Sequence, residues 1–242
     1  MRLRKSLAVL VATLATTLTF AQCDDEYEDP PVNWGVLLFP TFEALDVFGP
    51  LEALNLLSLT VPLNLSLISR TLDPVSTKPR AMTTPSNFSE SILPTHTFSN
   101  PPPDLEVLLV PGGLGTRAPD LQAEVGFIRD TYPQLKYLIT VCTGAWLAAN
   151  AGVLDGRNAT TNKKAWAGRP VNNSVNWITH ARWVVDDNIW TSSGVSAGID
   201  ATLAFVEEIY GEELATDVAN SMEYERHTNA TWDPFAELYG LA

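Results

Sequence analysis

Short, continuously apolar runs that alternate with helix-spaced segments constrain this chain more than any other feature. Asn33 to Phe39, Glu106 to Val110 and Tyr137 to Val141 are runs of strand length, apolar on successive residues. A strand apolar on both faces has to be covered on both faces. Helical spacing follows each run: Leu45 to Leu57, with Pro50 read as near enough to the start to be tolerated, then Leu121 to Tyr132, then Gly144 to Ala151. Leu63 to Ile68 alternates like a strand, and Asp73 to Pro103, rich in Pro, Ser and Thr, reads as loops and strand fragments. Arg182 to Asp186 and Ile189 to Ser192 form a hairpin pattern around Asp187-Asn188, before helical stretches at Ser196 to Tyr210 and Glu212 to Tyr224. The pattern predicts an α/β fold with a mostly parallel sheet and helices on both faces. In such folds the active residues gather at the carboxyl ends of the strands.

Composition narrows the function. Lys and Arg number 15 against 28 Asp and Glu, a formal net charge of -13. That balance repels phosphates, so neither nucleic acid nor an anionic membrane is expected as a partner. The two cysteines, Cys23 and Cys142, are too few for a disulfide framework or a thiolate zinc cage, and no metal or cofactor is expected.

The start of the chain reads as a leader. Arg2, Arg4 and Lys5 precede an apolar stretch from Leu7 to Phe20, and small Ala21 closes it. This is the layout of a signal peptide over residues 1–21, and the stretch is short for a membrane span, which needs roughly 20 apolar residues. Residues 22–32 then read as an acidic flexible tail and 33–242 as one domain. A secreted protein is the expectation, and glycosylation sequons at Asn64, Asn87, Asn158, Asn172 and Asn229 agree with it. Export also permits a Cys23–Cys142 disulfide, which the acidic setting of Cys23 disfavours.

Cys142 ends an apolar strand and precedes Thr143-Gly144-Ala145, small residues that open a helix. That is the pattern of a nucleophile elbow, with the helix start expected to favour the thiolate. A buried core cysteine is the competing reading. The backbone N–H groups of Thr143 and Gly144 are candidates to hold a developing anion, and Gly112-Gly113 could turn further N–H groups toward the same pocket. Asp46 lies among Leu45, Val47 and Phe48. An apolar setting raises a carboxyl pKa and makes it a usable acid, although a helix N-cap is an equal alternative. Trp146 reads as a pocket wall or as helix packing.

Phe39-Pro40, Leu45-Asp46-Val47-Phe48-Gly49-Pro50, Leu109-Val110-Pro111-Gly112-Gly113, Cys142-Thr143-Gly144, Gly156-Arg157-Asn158-Ala159-Thr160-Thr161 and Thr191 to Asp200 together resemble the ThiJ/PfpI superfamily, which has a class I glutamine amidotransferase-like fold. The resemblance spans about residues 33 to 225 and is nearest the isonitrile hydratase branch. It implies a flavodoxin-like sandwich, usually a homodimer, with Cys142 as nucleophile, Asp46 as the acid beside it and an oxyanion-type pocket from the backbone at Gly113 and Thr143. It implies an acidic site position at Asp200, which a charge at a helix start explains equally well. Relatives often carry His where Asn162 stands here. Asn162 cannot titrate, so the pattern disfavours a protease or amidotransferase that needs a Cys–His pair. His96, His180 and His227 fall in no catalytic motif.

Three functions follow for a small-molecule substrate. The first is isonitrile hydration to an N-substituted formamide through a thioimidate on Cys142. The second is glyoxalase or deglycase chemistry on 2-oxoaldehydes. The third is a secreted, redox-reactive protein without catalysis, whose Cys142 oxidises to sulfinate.

Overall fold

A computed structural model describes residues 29–79, 85–171 and 174–241. The leader at 1–21, Cys23 with its disulfide question, and the sequon at Asn172 fall outside the described residues.

The elements run β1 (Asn33–Leu37), α1 (Ala44–Leu57), β2 (Asn64–Ser69), β3 (Val75–Ser76), β4 (Ser91–Ile92), β5 (His96–Thr97), β6 (Val107–Val110), α2 (Gln122–Thr131), β7 (Tyr137–Thr140), α3 (Gly144–Asn150), β8 (Asn158–Ala159), β9 (Asn176–Trp177), β10 (Trp183–Asp186), β11 (Ile189–Ser192), α4 (Ala197–Tyr210), α5 (Glu212–Ser221) and α6 (Pro234–Leu238). Seven strands form one sheet in the order β10-β11-β7-β6-β1-β2-β5. Neighbours are parallel except for the β10–β11 hairpin. The predicted mostly parallel α/β sandwich is what the chain forms.

The apolar runs supply the sheet interior. Every residue of β6 and β11 is buried, and Leu37, Leu38, Ile68, Leu108 and Leu138 are fully so. Phe205 of α4 fixes that helix to the sheet, meeting Trp34, Tyr137 and Trp190 edge-to-face at 5.0 to 5.4 Å between ring centroids. Each such aromatic pair adds about 0.5–1.5 kcal/mol beyond burial.

Three details depart from expectation. The tail at 22–32 is held at its described end: the Val32 and Asn33 N–H groups donate to Glu106 Oε2 at 2.7 and 2.8 Å, and the Tyr210 hydroxyl donates to the Pro31 carbonyl. A strand entering a sheet carries backbone groups that need such partners. Pro50 lies beyond the first turn of α1, not near its start, so the carbonyl of Asp46 has no helical N–H to accept. Finally, α6 was not anticipated; Asp233 caps it by accepting the Phe235 N–H at 3.0 Å.

Strand order explains where a site can form. β7, β6 and β1 are adjacent, with Val110 level with Thr140 and Val36 level with Leu109. The segments leaving their carboxyl ends therefore emerge side by side. They carry Cys142, Gly112-Gly113 and Asp46.

Candidate active site

Cys142 follows β7 with φ +59, the left-handed region that a non-glycine residue enters at a cost. The turn is closed by the Gly144 N–H donating to the Val141 carbonyl at 2.9 Å. Cys142 itself is clamped: its N–H donates to the Ser192 carbonyl at 3.2 Å, and its carbonyl accepts the Thr161 hydroxyl at 2.7 Å. The strained elbow is thus fixed from β11 and from the segment after β8. Cys142 is buried and, among the described residues, has no disulfide partner.

Asp46 is wholly buried in the first turn of α1. The helix cap is Glu43, so the N-cap alternative for Asp46 does not hold. Its Oδ2 accepts the Gly112 N–H at 2.8 Å, and its Oδ1 has no hydrogen-bond partner. Burial pushes its pKa up to about 7, Glu43 adds to the rise, and bonds from Gly112 and Cys142 pull against it. The Cys142 thiol is pushed well above its ordinary range, by burial first and by the Asp46 charge second. Bonds from the Thr143 backbone N–H and the Asn162 side chain act the other way. The expected thiolate at the helix start is therefore not the resting form; desolvation outweighs the end of a short helix.

Gly112 and Gly113 have firm reasons to be glycine. A Cβ at Gly112 would lie 2.5 Å from the Thr143 nitrogen and 3.0 Å from Asp46 Oδ2. Gly113 sits at φ +126, and a Cβ there would meet the Glu43 nitrogen at 2.4 Å. The expected oxyanion donors are otherwise engaged. The Gly113 N–H donates to Thr143 Oγ1 at 3.0 Å, which also receives the Thr116 hydroxyl at 3.0 Å. The Gly112 and Gly144 N–H groups serve Asp46 and the turn, while the Thr143 N–H faces the thiol and favours its charged form. These backbone groups hold the reacting side chains in place, because a buried N–H takes whatever acceptor the fold puts within reach.

Asn162 was noted in the sequence only as a missing base. In the structure its side chain lies beside the Cys142 thiol and favours the thiolate. Its Oδ1 accepts the Ala165 N–H at 3.0 Å, so its amide nitrogen is left for the sulfur. No local signal carries this, since β8 and the loop after it have little pattern of their own. Glu43 was likewise not anticipated. Asp200 is elsewhere occupied: buried in α4, it takes Arg182 Nε at 2.6 Å on Oδ2 and the His227 N–H at 3.0 Å on Oδ1. None of its bonds is to Cys142 or Asp46. Trp146 is buried, with Gly168 packed against it and the Arg117 guanidinium 5.3 Å from its ring centroid. Of the described sequon residues, Asn64, Asn87, Asn158 and Asn229 are all exposed. The Asn64 amide donates to Asn33 at 2.8 Å and the Asn158 amide to Asp186 at 2.9 Å. Among the described residues no cluster of His, Cys, Asp and Glu could hold a metal ion, and no helix is long and apolar enough to cross a membrane.

A mostly parallel sheet that presents one strained cysteine beside one buried carboxyl defines an α/β protein built around a single-cysteine elbow. The chain belongs to the DJ-1/PfpI family, whose model matches residues 35–208. It is 34% identical over 193 residues to isonitrile hydratase of Pseudomonas putida, covering 78% of this chain and 77% of that protein. Among solved structures it resembles a ThiJ/PfpI family protein from Pseudomonas syringae, with TM-score 0.67, 29% identity and coverage of 86% and 83% of the two chains. Drosophila melanogaster DJ-1beta shares the fold at TM-score 0.63 and 20% identity, over 80% of this chain and 98% of that one.

Proposed function

We propose that the chain is a cysteine-dependent enzyme that hydrates isonitriles to N-substituted formamides. The observation that carries this reading is the buried Cys142–Asp46 pair, with Asn162 and, among the described residues, no histidine beside the thiol. Asp46 has one uncommitted oxygen and a pKa of about 7. The relation to isonitrile hydratase supports the choice of substrate.

The chemistry starts from thiol and carboxylate. Asp46 takes the thiol proton as sulfur bonds to the terminal carbon of R–N≡C. The triple bond becomes a double bond, and Asp46 delivers the proton to that carbon, giving the thioimidate R–N=CH–S–Cys142. Water adds at the same carbon, nitrogen gains a proton, and the carbon–sulfur bond breaks. The products are R–NH–CHO and the free thiol, so one isonitrile and one water give one formamide. Asn162 donates to the sulfur while it carries negative charge.

Incubation with an aryl isonitrile tests the reading. Formamide appears with the wild type and not with Cys142→Ala. Folded wild-type protein that makes no formamide, or that instead consumes methylglyoxal without added thiol, overturns it. Export through residues 1–21 and assembly as a homodimer complete the proposal.

A further inference from the structure

A cavity of about 330 Å³ is lined by Asn162, beside the Cys142 thiol, and by Leu45, next to Asp46. That is within the range of small-molecule pockets. Arg182 and Val195 also line it, and Leu45, Phe235 and Tyr239 give it large apolar surface. Leu45, Phe235 and Tyr239 are 42%, 43% and 43% exposed, large apolar side chains left half-open around one mouth. Phe235 and Tyr239 belong to α6 and the residue after it, beyond residues 35–208 that match the family model.

The segment carrying them is fastened firmly. Asp233 and Lys163 pair at 3.2 Å with both side chains 1% exposed. Lys163 also donates to Thr160 Oγ1 at 2.6 Å and to the Ala181 carbonyl at 2.9 Å. The Arg182 N–H donates to the Ala230 carbonyl at 2.7 Å, and Trp232 stacks on His227 at 4.0 Å. Burying an ion pair costs desolvation that geometry alone seldom returns, so it is weak as a source of stability and better suited to fixing one arrangement. The latch joins the tail to the stretch Thr160–Lys163, which also carries Thr161 and Asn162, the residues that touch Cys142.

We infer that the C-terminal segment, latched by Lys163–Asp233, is the substrate-selecting wall of the site, with Phe235 and Tyr239 packing against a bulky apolar or aryl substituent on the isonitrile carbon's nitrogen. The word isonitrile rests on the hydration reading; the wall does not. Phe235→Ala, Tyr239→Ala and Asp233→Asn are compared with the wild type on phenyl and methyl isonitrile. Each variant raises KM for the phenyl substrate about five-fold or more, the scale of losing apolar pocket contacts, and in Phe235→Ala and Tyr239→Ala KM for methyl isonitrile and both kcat values hold. In parallel, Cys142 alkylation by iodoacetamide and by its N-benzyl derivative is followed by intact mass. The wild type favours the benzyl reagent relative to Phe235→Ala and Tyr239→Ala. An unchanged size preference in both half-exposed variants overturns the wall, even if Asp233→Asn fails to fold. Wild-type protein that turns over neither isonitrile overturns the hydration reading, and the alkylation ratio still decides the wall.

Discussion

At Cys142 two opposed effects meet, and burial wins. The helix start and the Thr143 and Asn162 bonds favour the thiolate, while desolvation and the Asp46 charge disfavour it more strongly. Cysteine and carboxyl therefore gain and lose protons as a unit, and the unit is competent when it holds one proton. Because Asp46 ionises at about 7, kcat/KM should rise with pH through about 7 to a plateau. Asp46→Asn should abolish that rise and lower kcat by about 10²–10⁴-fold, the usual worth of a positioned acid or base. A stopped-flow pH profile checks both. The same shift has a stability sign. From an ordinary 3.8 to about 7, folded protein keeps a proton that unfolded protein has released. The Asp46 contribution to stability therefore falls as pH rises through that window and is level above it, a loss of about 3 kcal/mol at most between pH 4.5 and 7.5. Urea unfolding at those two values should show this loss in the wild type and not in Asp46→Asn. The carboxyl was legible in the sequence from its apolar neighbours. Its uncommitted oxygen was not, because that depends on Gly112, which is distant along the chain.

The elements that form the site are short and depend on close approach. The turn at Gly112 brings the β6 exit within hydrogen-bond reach of both α1 and the Thr143 elbow. Gly112→Ala would drive a methyl group to 2.5 Å from the Thr143 nitrogen. Such overpacking costs about 1–3 kcal/mol, and each kcal/mol lowers Tm by about 2–4 °C in a domain of this size. Activity should fall by more than stability alone explains, since Asp46 and the elbow separate together. Thermal scans with kinetics on the folded fraction check this. At this scale the sequence was informative wherever periodicity was strong. The bounds of α1, α4 and β6 match the expectation within a residue. It was silent on α6, whose few residues carry too little periodicity and are held by a cap and a buried ion pair.

For the whole molecule, the acidic balance and the topology belong together. A chain with net charge -13 that buries its cysteine and carboxyl at the carboxyl ends of its central strands repels anionic partners such as nucleic acid. If residues 1–21 are a leader, protein recovered from the culture medium of a eukaryotic host begins at Gln22 by intact mass. Protein that is retained in the cells with Met1 or Arg2 at its start removes the export proposal. Sedimentation of the same sample tests the homodimer, with the monomer mass as the contrary outcome.

Sequence by itself determined the sheet, its parallel sense and the place of the cysteine elbow. Strand burial and the strand-to-helix turn are local properties, written in the apolar runs and in Cys142-Thr143-Gly144. Tertiary structure decided the rest. It gave the backbone N–H groups of Gly112 and Gly113 to side chains rather than to an oxyanion. It turned Asp200 toward Arg182, set Asn162 beside the thiol and brought α6 to the cavity that Asn162 lines. The physical reason is common to all four. Buried polar groups bond to whatever partner the packed fold supplies, and those partners come from parts of the chain that no local pattern connects.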